Sequence, residues 1–347
     1  MIPTFTSTVV DPLARGREFG ARWRSAVHAT VDGYMTLFHG DPRVRGWSLA
    51  ALSQTTAWAP ALALEMAGIA LGAGLEPWQV AAINARTEIL AALRDSGEGE
   101  CSTAVALTGA GPRTVQTWDW HDHLRDVPVL WAFDSGTGVG VRTFTEFGVL
   151  AKIGVNSAGL GVHFNILRHV SDHSRIGVPV HLVARRVLAE ATTVEEAAAV
   201  ARSARVSAST ALTVVTAGAA ATIELSPAGV AVVPADGVLV RTNHFLDADL
   251  AVGERLGVER PLTYDRLAHL SAHSAELASG DVTARARALL SHAPDGAPVC
   301  AHADPTLPFD QRWETVATIA LDVTTTQIHV HEGGPCRVTD STWQTFP

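Results

Sequence analysis

The chain has 347 residues, a formal net charge of -9 and 47% hydrophobic residues. This length and balance are typical of one large layered globular body and argue against extended disorder. No run of Lys and Arg occurs along the chain, so we expect no nucleic-acid partner. No signal peptide is evident and no apolar segment approaches the roughly 18 residues of a membrane span, so we expect no membrane partner and a cytoplasmic location.

The first hundred residues predict helices. Apolar residues recur at helical spacing in residues 15–37, 57–71 and 76–93, and Pro77 suits the first turn of the last of these. Polar and glycine residues at 94–100 end this pattern, and from residue 101 onward the apolar period changes to two. We therefore predict a helical N-terminal segment, residues 1–100, followed by a body at 101–347.

The body alternates blocks of strands with blocks of helices. Strands are predicted at 101–108, 113–120, 129–134, 140–150, 151–156, 160–167, 209–217, 221–227, 229–235 and 238–245, with a last pair between 315 and 331. Helices are predicted at 178–191, 193–204, 262–278 and 281–292. This order favours stacked layers of sheet and helix, an α+β arrangement, over strict βαβ alternation.

The three cysteines are Cys101, Cys300 and Cys336, which are too few and too scattered for a disulfide framework or a CxxC metal site. A free cysteine is usually a small core hydrophobe, and this is our interpretation of Cys300 and Cys336. Cys101 differs, because it opens the first strand of the body.

Cys101 begins a predicted hairpin, in which "CSTAVALT" and "RTVQTWDW" are joined by the turn "GAGP". If Thr108 pairs with Arg113, Cys101 lies opposite Trp120, and a slip of one residue sets it opposite Asp119. A thiol and a carboxylate then become neighbours at the open end of the hairpin. An ordinary hairpin with a buried cysteine is the alternative.

A thiol is a strong nucleophile only as the thiolate or beside a base. If the chain were cut before Cys101, the cysteine would carry its own base, because an α-amino group has a pKa of roughly 7.7 to 8. A new N-terminus at the start of a strand can also be held rigidly by sheet hydrogen bonds.

Seven segments in order resemble one known family. They are "NARTEI" (84–89), "CSTA" (101–104), "WDW" (118–120), "KIGVNSAGLGVHFN" (152–165), "GVPVHLVARRVLAE" (177–190), "RTNHF" (241–245) and "RWETVATIALD" (312–322). The chain resembles the isopenicillin N acyltransferase and carcinine hydrolase group of N-terminal nucleophile cysteine hydrolases, which includes acyl-coenzyme A:6-aminopenicillanic acid acyltransferase.

The resemblance implies a four-layer αββα sandwich made as a zymogen that cuts itself between Glu100 and Cys101. Residues 1–100 would become a small chain, and residues 101–347 a large chain with both sheets. The two chains would stay associated, and the resemblance is compatible with a higher oligomer. The acyltransferase has Gly before its nucleophile where this chain has Glu100, which leaves the efficiency of self-cleavage to be determined.

The resemblance also implies residue roles. Cys101 would be the nucleophile, Asp119 the acid that binds its freed amine, and Asn243 the amide of the oxyanion hole. Arg312 matches an arginine near Asp119 and the nucleophile, where a positive charge favours the thiolate. By position, the candidates for contact with substrate are Trp118, Trp120, His121, His163 and Phe164.

The implied activity is cleavage of a small N-acyl amine or amino-acid amide through a thioester on Cys101, with hydrolysis preferred to acyl transfer. No bound cofactor is expected, and coenzyme A would enter only as an acyl donor. Three alternatives stay open: an acyl-CoA-dependent N-acyltransferase, an uncleaved non-catalytic binding protein, and a metal-dependent hydrolase. The last would use Asp119, His121 and His123, which share one face of a strand and carry oxygen and nitrogen ligands.

Overall fold

The computed structural model describes residues 1–93 and 101–347. Glu100, and with it one side of the expected cleavage bond, lies outside the described residues. The N-terminal segment contains β1 (Thr4–Thr6), α1 (Pro12–Arg22), α2 (Arg24–Leu37), α3 (Val44–Trp58), α4 (Pro60–Ala73), α5 (Pro77–Asn84) and α6 (Arg86–Leu93). The prediction that this segment is mainly helical is confirmed.

Glycines allow α1 and α4 to cross closely. A Cβ atom at Gly16 would lie 2.9 Å from the backbone nitrogen of Ile69, and one at Gly20 would lie 2.9 Å from that of Ala73. Side chains at these positions would therefore push the two backbones apart. Helix α1 also carries Arg15, which is buried and donates from Nε to Glu65 of α4 at 2.7 Å.

The larger of two sheets has eight strands in the order β1-β4-β5-β6-β7-β8-β9-β10. Its strands from the body are β4 (Pro128–Asp134), β5 (Gly140–Glu146), β6 (Ile153–Asn156), β7 (Gly161–Ile166), β8 (Thr210–Val215), β9 (Ala220–Ser226) and β10 (Gly229–Pro234). The short strand β1 pairs with β4 in parallel, whereas the other neighbours are antiparallel. The expectation that residues from 101 onward supply both sheets is therefore incomplete, because the N-terminal segment adds an edge strand.

The smaller sheet has six strands in the order β11-β2-β3-β12-β13-β14. They are β2 (Ser102–Thr108), β3 (Gly111–His121), β11 (Val238–Arg241), β12 (Trp313–Asp322), β13 (Gln327–Glu332) and β14 (Gln344–Phe346). The predicted hairpin is present, but its turn is tighter than expected, because pairing continues to Thr108 and Gly111 and Gly111 adopts a positive φ of 97°. Ser102 pairs with Thr117, so Cys101 lies opposite Trp118 and neither expected register is right.

Helices cover the outer faces of both sheets. Those of the body are α7 (Val180–Glu190), α8 (Val194–Ser203), α9 (Ala248–Ala251), α10 (Leu256–Glu259), α11 (Leu262–Ala272), α12 (Ser274–Leu277) and α13 (Val282–Arg287). Helices α7 and α8 contact the eight-stranded sheet, and α11 to α13 contact the six-stranded sheet. The sheets face each other, with Trp118 of β3 packed edge-on against Phe144 of β5. The expected four-layer αββα sandwich is confirmed.

Buried polar contacts join the N-terminal segment to the body. Arg86 of α6 donates from Nη2 to Glu146 of β5 at 2.5 Å, and Glu65 of α4 lies 3.2 Å from Arg185 of α7. Glu88 of α6 accepts from the backbone nitrogen of Val180 at 2.8 Å, at the start of α7. In the described residues, no helix combines the length and apolarity needed to cross a membrane.

Candidate active site

Cys101 directly precedes β2 and is held through its main chain. Its backbone nitrogen donates to Oδ1 of Asn243 at 2.8 Å. Its carbonyl oxygen accepts from Nδ2 of Asn165 at 2.9 Å and from Nη1 of Arg266 at 3.1 Å. The residue is 4% exposed in the uncut chain. The backbone nitrogen and the carbonyl oxygen of Cys101 are thus both fixed. A nucleophile whose sulfur must lie at a defined position requires such a fixed backbone.

Asn243 follows β11 and is fully buried. Its Oδ1 also accepts from Nη2 of Arg266 at 3.1 Å, while its Nδ2 donates to the carbonyl of Ile166 at 2.8 Å. Its backbone nitrogen donates to Oγ1 of Thr263 at 2.9 Å. In the uncut chain this side chain therefore supports the peptide nitrogen of Cys101, and its role at an oxyanion stays a prediction.

Asp119 lies on β3, on the side of the hairpin that faces the start of β2. Its carboxylate is buried, and Oδ1 accepts from Oγ1 of Thr315 on β12 at 2.7 Å. Its backbone N–H donates to the sulfur of Cys101. The expected closeness of the thiol and this carboxylate is therefore present, although the register that brings it about differs.

The charges around Cys101 act in opposite directions on its thiol. Burial and then the Asp119 carboxylate raise the pKa of Cys101 to about 12, while the Asp119 N–H, Lys152 and Arg266 act to lower it. Burial disfavours a thiolate because the ion loses its hydration, and a neighbouring anion adds repulsion. In the uncut chain the thiol is therefore protonated at neutral pH.

Lys152 is a buried cation that sequence reasoning did not single out. Its Nζ lies 2.7 Å from Glu146 and 3.3 Å from the centre of the Trp118 ring. Burial lowers the pKa of Lys152 to about 7 even though the Glu146 carboxylate acts to raise it. Glu146 also binds Arg86 and the hydroxyl of Tyr34, so residues of the N-terminal segment complete this cluster.

The position of Arg312 does not match the expectation. Its Nε donates to the carbonyl of Leu307 at 2.8 Å, just before β12 begins. Asp119 pairs with Thr315, which is three residues beyond Arg312 in the chain. Three residues of extended chain correspond to about 10 Å. The guanidinium that contacts the nucleophile segment belongs instead to Arg266, which also donates to Oγ of Ser102 at 2.9 Å.

The five candidates for substrate contact lie within the described core. Trp118 and Trp120 stack with their ring centres 6.3 Å apart, and Phe164 stacks on His181 at 4.5 Å. His163 hydrogen-bonds to Oε1 of Gln116 at 2.8 Å, and burial lowers its pKa to about 3, so its imidazole is neutral. All five side chains are buried in the uncut chain. Their contact with substrate stays a prediction.

The residues of the metal alternative do not gather around one point. The rings of His121 and His123 lie 5.5 Å apart, but the first packs on Trp313 at 3.8 Å and the second on Phe309 at 4.1 Å, while Asp119 accepts from Thr315. Within residues 1–93 and 101–347, the grouping of side chains able to hold a metal ion lies elsewhere, at His292, Cys300, His302 and Cys336. The geometry therefore does not support a metal hydrolase site in the "WDWHDH" segment.

The sequence model of the family described as acyl-coenzyme A:6-aminopenicillanic acid acyl-transferase matches residues 139–336, more than half of the chain. The chain belongs to this family. The acyl-coenzyme A:6-aminopenicillanic-acid-acyltransferase 40 kDa form of Emericella nidulans is 28% identical over 243 residues, which cover 68% of this chain and 67% of that protein. The resemblance drawn from the sequence is confirmed, and the family match indicates an enzyme of the acyltransferase kind.

Two solved structures are similar at lower identity. Penicillin V acylase from Agrobacterium tumefaciens has a TM-score of 0.46 and 18% identity, over 67% of this chain and 83% of its own. The Caenorhabditis elegans ortholog of N-acylethanolamine-hydrolyzing acid amidase has a TM-score of 0.43 and 18% identity, over 71% of this chain and 100% of its own. At these scores they add nothing to the assignment, which rests on the family match and on the four layers.

Two further residues of the candidate site were within reach of the sequence, and one was not. Lys152 and Asn165 are the first and last residues of the family-like segment 152–165, although no role was assigned to either. Arg266 lies on the buried face of α11 with Thr263 and Leu270, at spacings of three and four residues. A charged residue on such a face is the only sequence signal that Arg266 offers.

Proposed function

We propose that this chain is a self-processing cysteine amidohydrolase. It cuts the bond between Glu100 and Cys101 and then hydrolyses a small N-acyl amine or amino-acid amide through a thioester on Cys101. The observation that carries this proposal is the set of side-chain hydrogen bonds to the Cys101 backbone. Its peptide nitrogen is bound by Asn243, and its carbonyl is bound by Asn165 and Arg266. Any buried backbone N–H or carbonyl needs a partner, but here the partners are two amide side chains and a guanidinium rather than a neighbouring strand.

The maturation step is an acyl shift from nitrogen to sulfur followed by hydrolysis. The Cys101 sulfur bonds to the Glu100 carbonyl carbon, the C–N bond breaks, and the thiol proton passes to the released amine. Water then adds to the thioester, which restores the thiol and leaves a carboxylate on Glu100. Asn243 supports this step, since its Oδ1 binds the nitrogen of the bond that breaks.

Cleavage changes the electrostatics of the thiol. Before cleavage, Cys101 carries an uncharged peptide nitrogen, and burial and Asp119 hold its pKa at about 12. After cleavage, a protonated amine stands between the sulfur and the Asp119 carboxylate. A cation at this position favours the thiolate and offsets the repulsion from Asp119. Self-cleavage therefore acts as the activating step of a zymogen.

The mature cycle uses the same atoms. The Cys101 sulfur attacks the substrate carbonyl, and Asn243 with a backbone N–H stabilises the oxyanion, where a placed donor contributes about 3 kcal/mol. The α-amine donates a proton to the leaving amine and accepts one from the water that opens the thioester. No cofactor takes part in these steps.

The two chains are expected to stay together after cleavage. Arg86 binds Glu146 and Glu65 binds Arg185, and all four side chains are buried. Separating the chains would break these buried pairs and expose to water the surfaces that cover them. Loss of the N-terminal segment would also remove β1 and leave an edge of β4 unpaired.

Acyl transfer is the second candidate, and the family match favours it. It shares the thioester on Cys101 and differs only in what opens it: water in hydrolysis, an acceptor amine in transfer. Coenzyme A would then be the leaving group of an acyl donor.

The test is to trap the thioester. Mature protein is mixed briefly with N-acyl amines, amino-acid amides or acyl-coenzyme A, quenched in acid and analysed by mass spectrometry. We expect an added acyl mass on the large chain at Cys101 and no such mass on the Cys101→Ala variant. Addition of hydroxylamine or a free amine then shows how the thioester partitions between water and acceptor. Turnover that persists in Cys101→Ala would contradict the proposal.

A further inference from the structure

A second cluster of reactive side chains lies outside the candidate active site. His292, Cys300, His302 and Cys336 each offer one ligand atom, and these four atoms all lie within 4.8 Å of one another. Nε2 of His302 is 3.2 Å from Nε2 of His292, 3.8 Å from Sγ of Cys300 and 3.6 Å from Sγ of Cys336. Two thiols and two imidazoles therefore face a common centre.

The fold brings these residues together from three separate stretches of chain. His292 comes after α13. Cys300 and His302 lie between His292 and β12, and Cys336 comes just after β13. The backbone nitrogen of Cys300 donates to the carbonyl of Ser291 at 2.9 Å, which fixes the first two stretches to each other. The interpretation of Cys300 and Cys336 as isolated core hydrophobes overlooked this convergence.

Three of the six separations, all measured from Nε2 of His302, match a tetrahedral zinc site, and the other three lie within 4.8 Å. With Zn–S bonds of about 2.3 Å and Zn–N bonds of about 2.05 Å, tetrahedral geometry sets two nitrogens about 3.3 Å apart and a nitrogen about 3.6 Å from a sulfur. The observed separations of 3.2, 3.6 and 3.8 Å follow this pattern. Two sulfur and two nitrogen ligands in tetrahedral geometry are characteristic of zinc.

The surroundings of the cluster fit a metal centre as well. The backbone N–H of Cys336 lies beside the Cys300 sulfur and acts to lower the pKa of that thiol, while the neighbouring Cys336 thiol acts to raise it. Gly334 packs against the same sulfur, and a Cβ atom there would lie 2.5 Å from it. Asp295 Oδ2 lies 3.8 Å from Nδ1 of His292, the ring nitrogen that faces away from the cluster. A surface cleft of about 410 Å³ borders His292, Cys300 and His302 and offers an entry path.

We propose that His292, Cys300, His302 and Cys336 bind one structural Zn²⁺ ion. Four protein ligands complete the tetrahedron, so the ion has no open position for water or substrate and its role is structural. It ties the loop after α13 and the loop after β13 to the segment that leads into β12. A disulfide between Cys300 and Cys336 is the competing arrangement, but it would not explain why two imidazole nitrogens face the same sulfurs.

The proposed ion would act on the active site only through the strand that supports it. Ala301, between two ligands, donates to Oγ1 of Thr315 at 2.9 Å and accepts from the Thr315 backbone nitrogen at 3.0 Å. Thr315 in turn donates to Asp119. The zinc proposal does not depend on the proposed function, because it concerns residues that take no part in the acyl transfer.

The first test measures the metal content of full-length wild-type protein, purified without a polyhistidine tag, by elemental mass spectrometry. We expect about one zinc ion per chain. Replacement of the zinc by Co²⁺ should give the intense visible bands of a tetrahedral thiolate site. These wild-type measurements do not depend on the folding of any variant. A metal-free wild type with Cys300 and Cys336 joined as a disulfide would overturn the proposal.

Variants then assign the ligands. Cys336→Ser and His302→Gln should each lower the zinc content to below about a tenth of an ion per chain. Cys101→Ser is the matched control, because it removes the third cysteine and should retain the full zinc content. Zinc retained in both ligand variants would place the ion elsewhere and overturn the proposal. Because zinc content and self-cleavage are measured separately and depend on different residues, the two proposals can fail separately.

Discussion

Cys101 and Cys300 are both buried, and burial is the first cause that raises the pKa of each thiol to about 12. Their other partners differ. The Asp119 carboxylate acts to raise the pKa of both thiols, but Cys101 also lies near the cations Lys152 and Arg266, whereas Cys300 lies beside a second thiol and a histidine. A raised pKa alone therefore does not distinguish a nucleophile from a metal ligand.

The way each cysteine is held separates the two. Cys101 is fixed through its main chain by Asn243, Asn165 and Arg266, which leaves its sulfur directed by the backbone. Cys300 is distinguished by what surrounds its sulfur, which includes a backbone N–H of Cys336 and the close approach of Gly334. A backbone N–H lies near both sulfurs, so the distinction lies in the side chains that bind the Cys101 main chain and in the imidazole nitrogen 3.8 Å from the Cys300 sulfur.

The largest expected effect comes from Arg266, which holds the nucleophile segment through three acceptors. Arg266→Met leaves these buried oxygens without their charged donor. We expect self-cleavage to slow about a thousandfold, or by about 4 kcal/mol of activation free energy. The rate is measured by mass spectrometry of freshly made protein over time. The matched control is Arg312→Met, which should cleave at nearly the wild-type rate. Equal loss in both variants would restore the sequence-based assignment.

Thr315 is the link between the two cysteine regions and should give an intermediate effect. Its Oγ1 donates to Asp119 at 2.7 Å and accepts from the backbone nitrogen of Ala301 at 2.9 Å. Thr315→Val removes both bonds, and we expect amide turnover to fall about thirtyfold, since each bond contributes about 1 kcal/mol. Thr315→Ser keeps the hydroxyl and should stay close to wild type. An unchanged rate in Thr315→Val would show that the two regions are not coupled.

The smallest effect is a change in the pH dependence of thiol alkylation. Asp119→Asn removes an anion that raises the pKa of Cys101, so the thiolate should form at lower pH. Arg266→Met removes a cation that lowers this pKa, so its thiolate should form at higher pH. The comparison uses the uncut fraction of each freshly made variant, in which iodoacetamide labelling at Cys101 is followed by peptide mass spectrometry. An identical or reversed order of the two pH profiles would contradict this account of the charges.

The sequence predicted the strands of the body well, because apolar residues alternate along them and one or both faces are buried. It missed α3 (Val44–Trp58), whose buried face consists of Val44, Ser48, Ala51 and Thr55. Small and polar side chains give no apolar periodicity. The hairpin register was wrong by two residues because the turn closes at Gly111, whose positive φ allows a shorter loop than "GAGP" suggested.

The candidate site was predictable only in part. Cys101, Asp119 and Asn243 lie in family-like segments, and the structure brings all three together. Arg266 was not predictable, since only tertiary packing carries α11 to the start of β2. The same applies to the proposed zinc ligands, which span residues 292 to 336 and have no characteristic spacing beyond the Cys300 and His302 pair.

The most direct test of the central claim is the intact mass of denatured wild type beside Cys101→Ala and Cys300→Ser. We predict two fragments, residues 1–100 and 101–347, for wild type and Cys300→Ser, and a single full-length chain for Cys101→Ala. A single full-length chain in all three proteins, or cleavage that persists in Cys101→Ala, would contradict the assignment of Cys101 as the self-processing nucleophile.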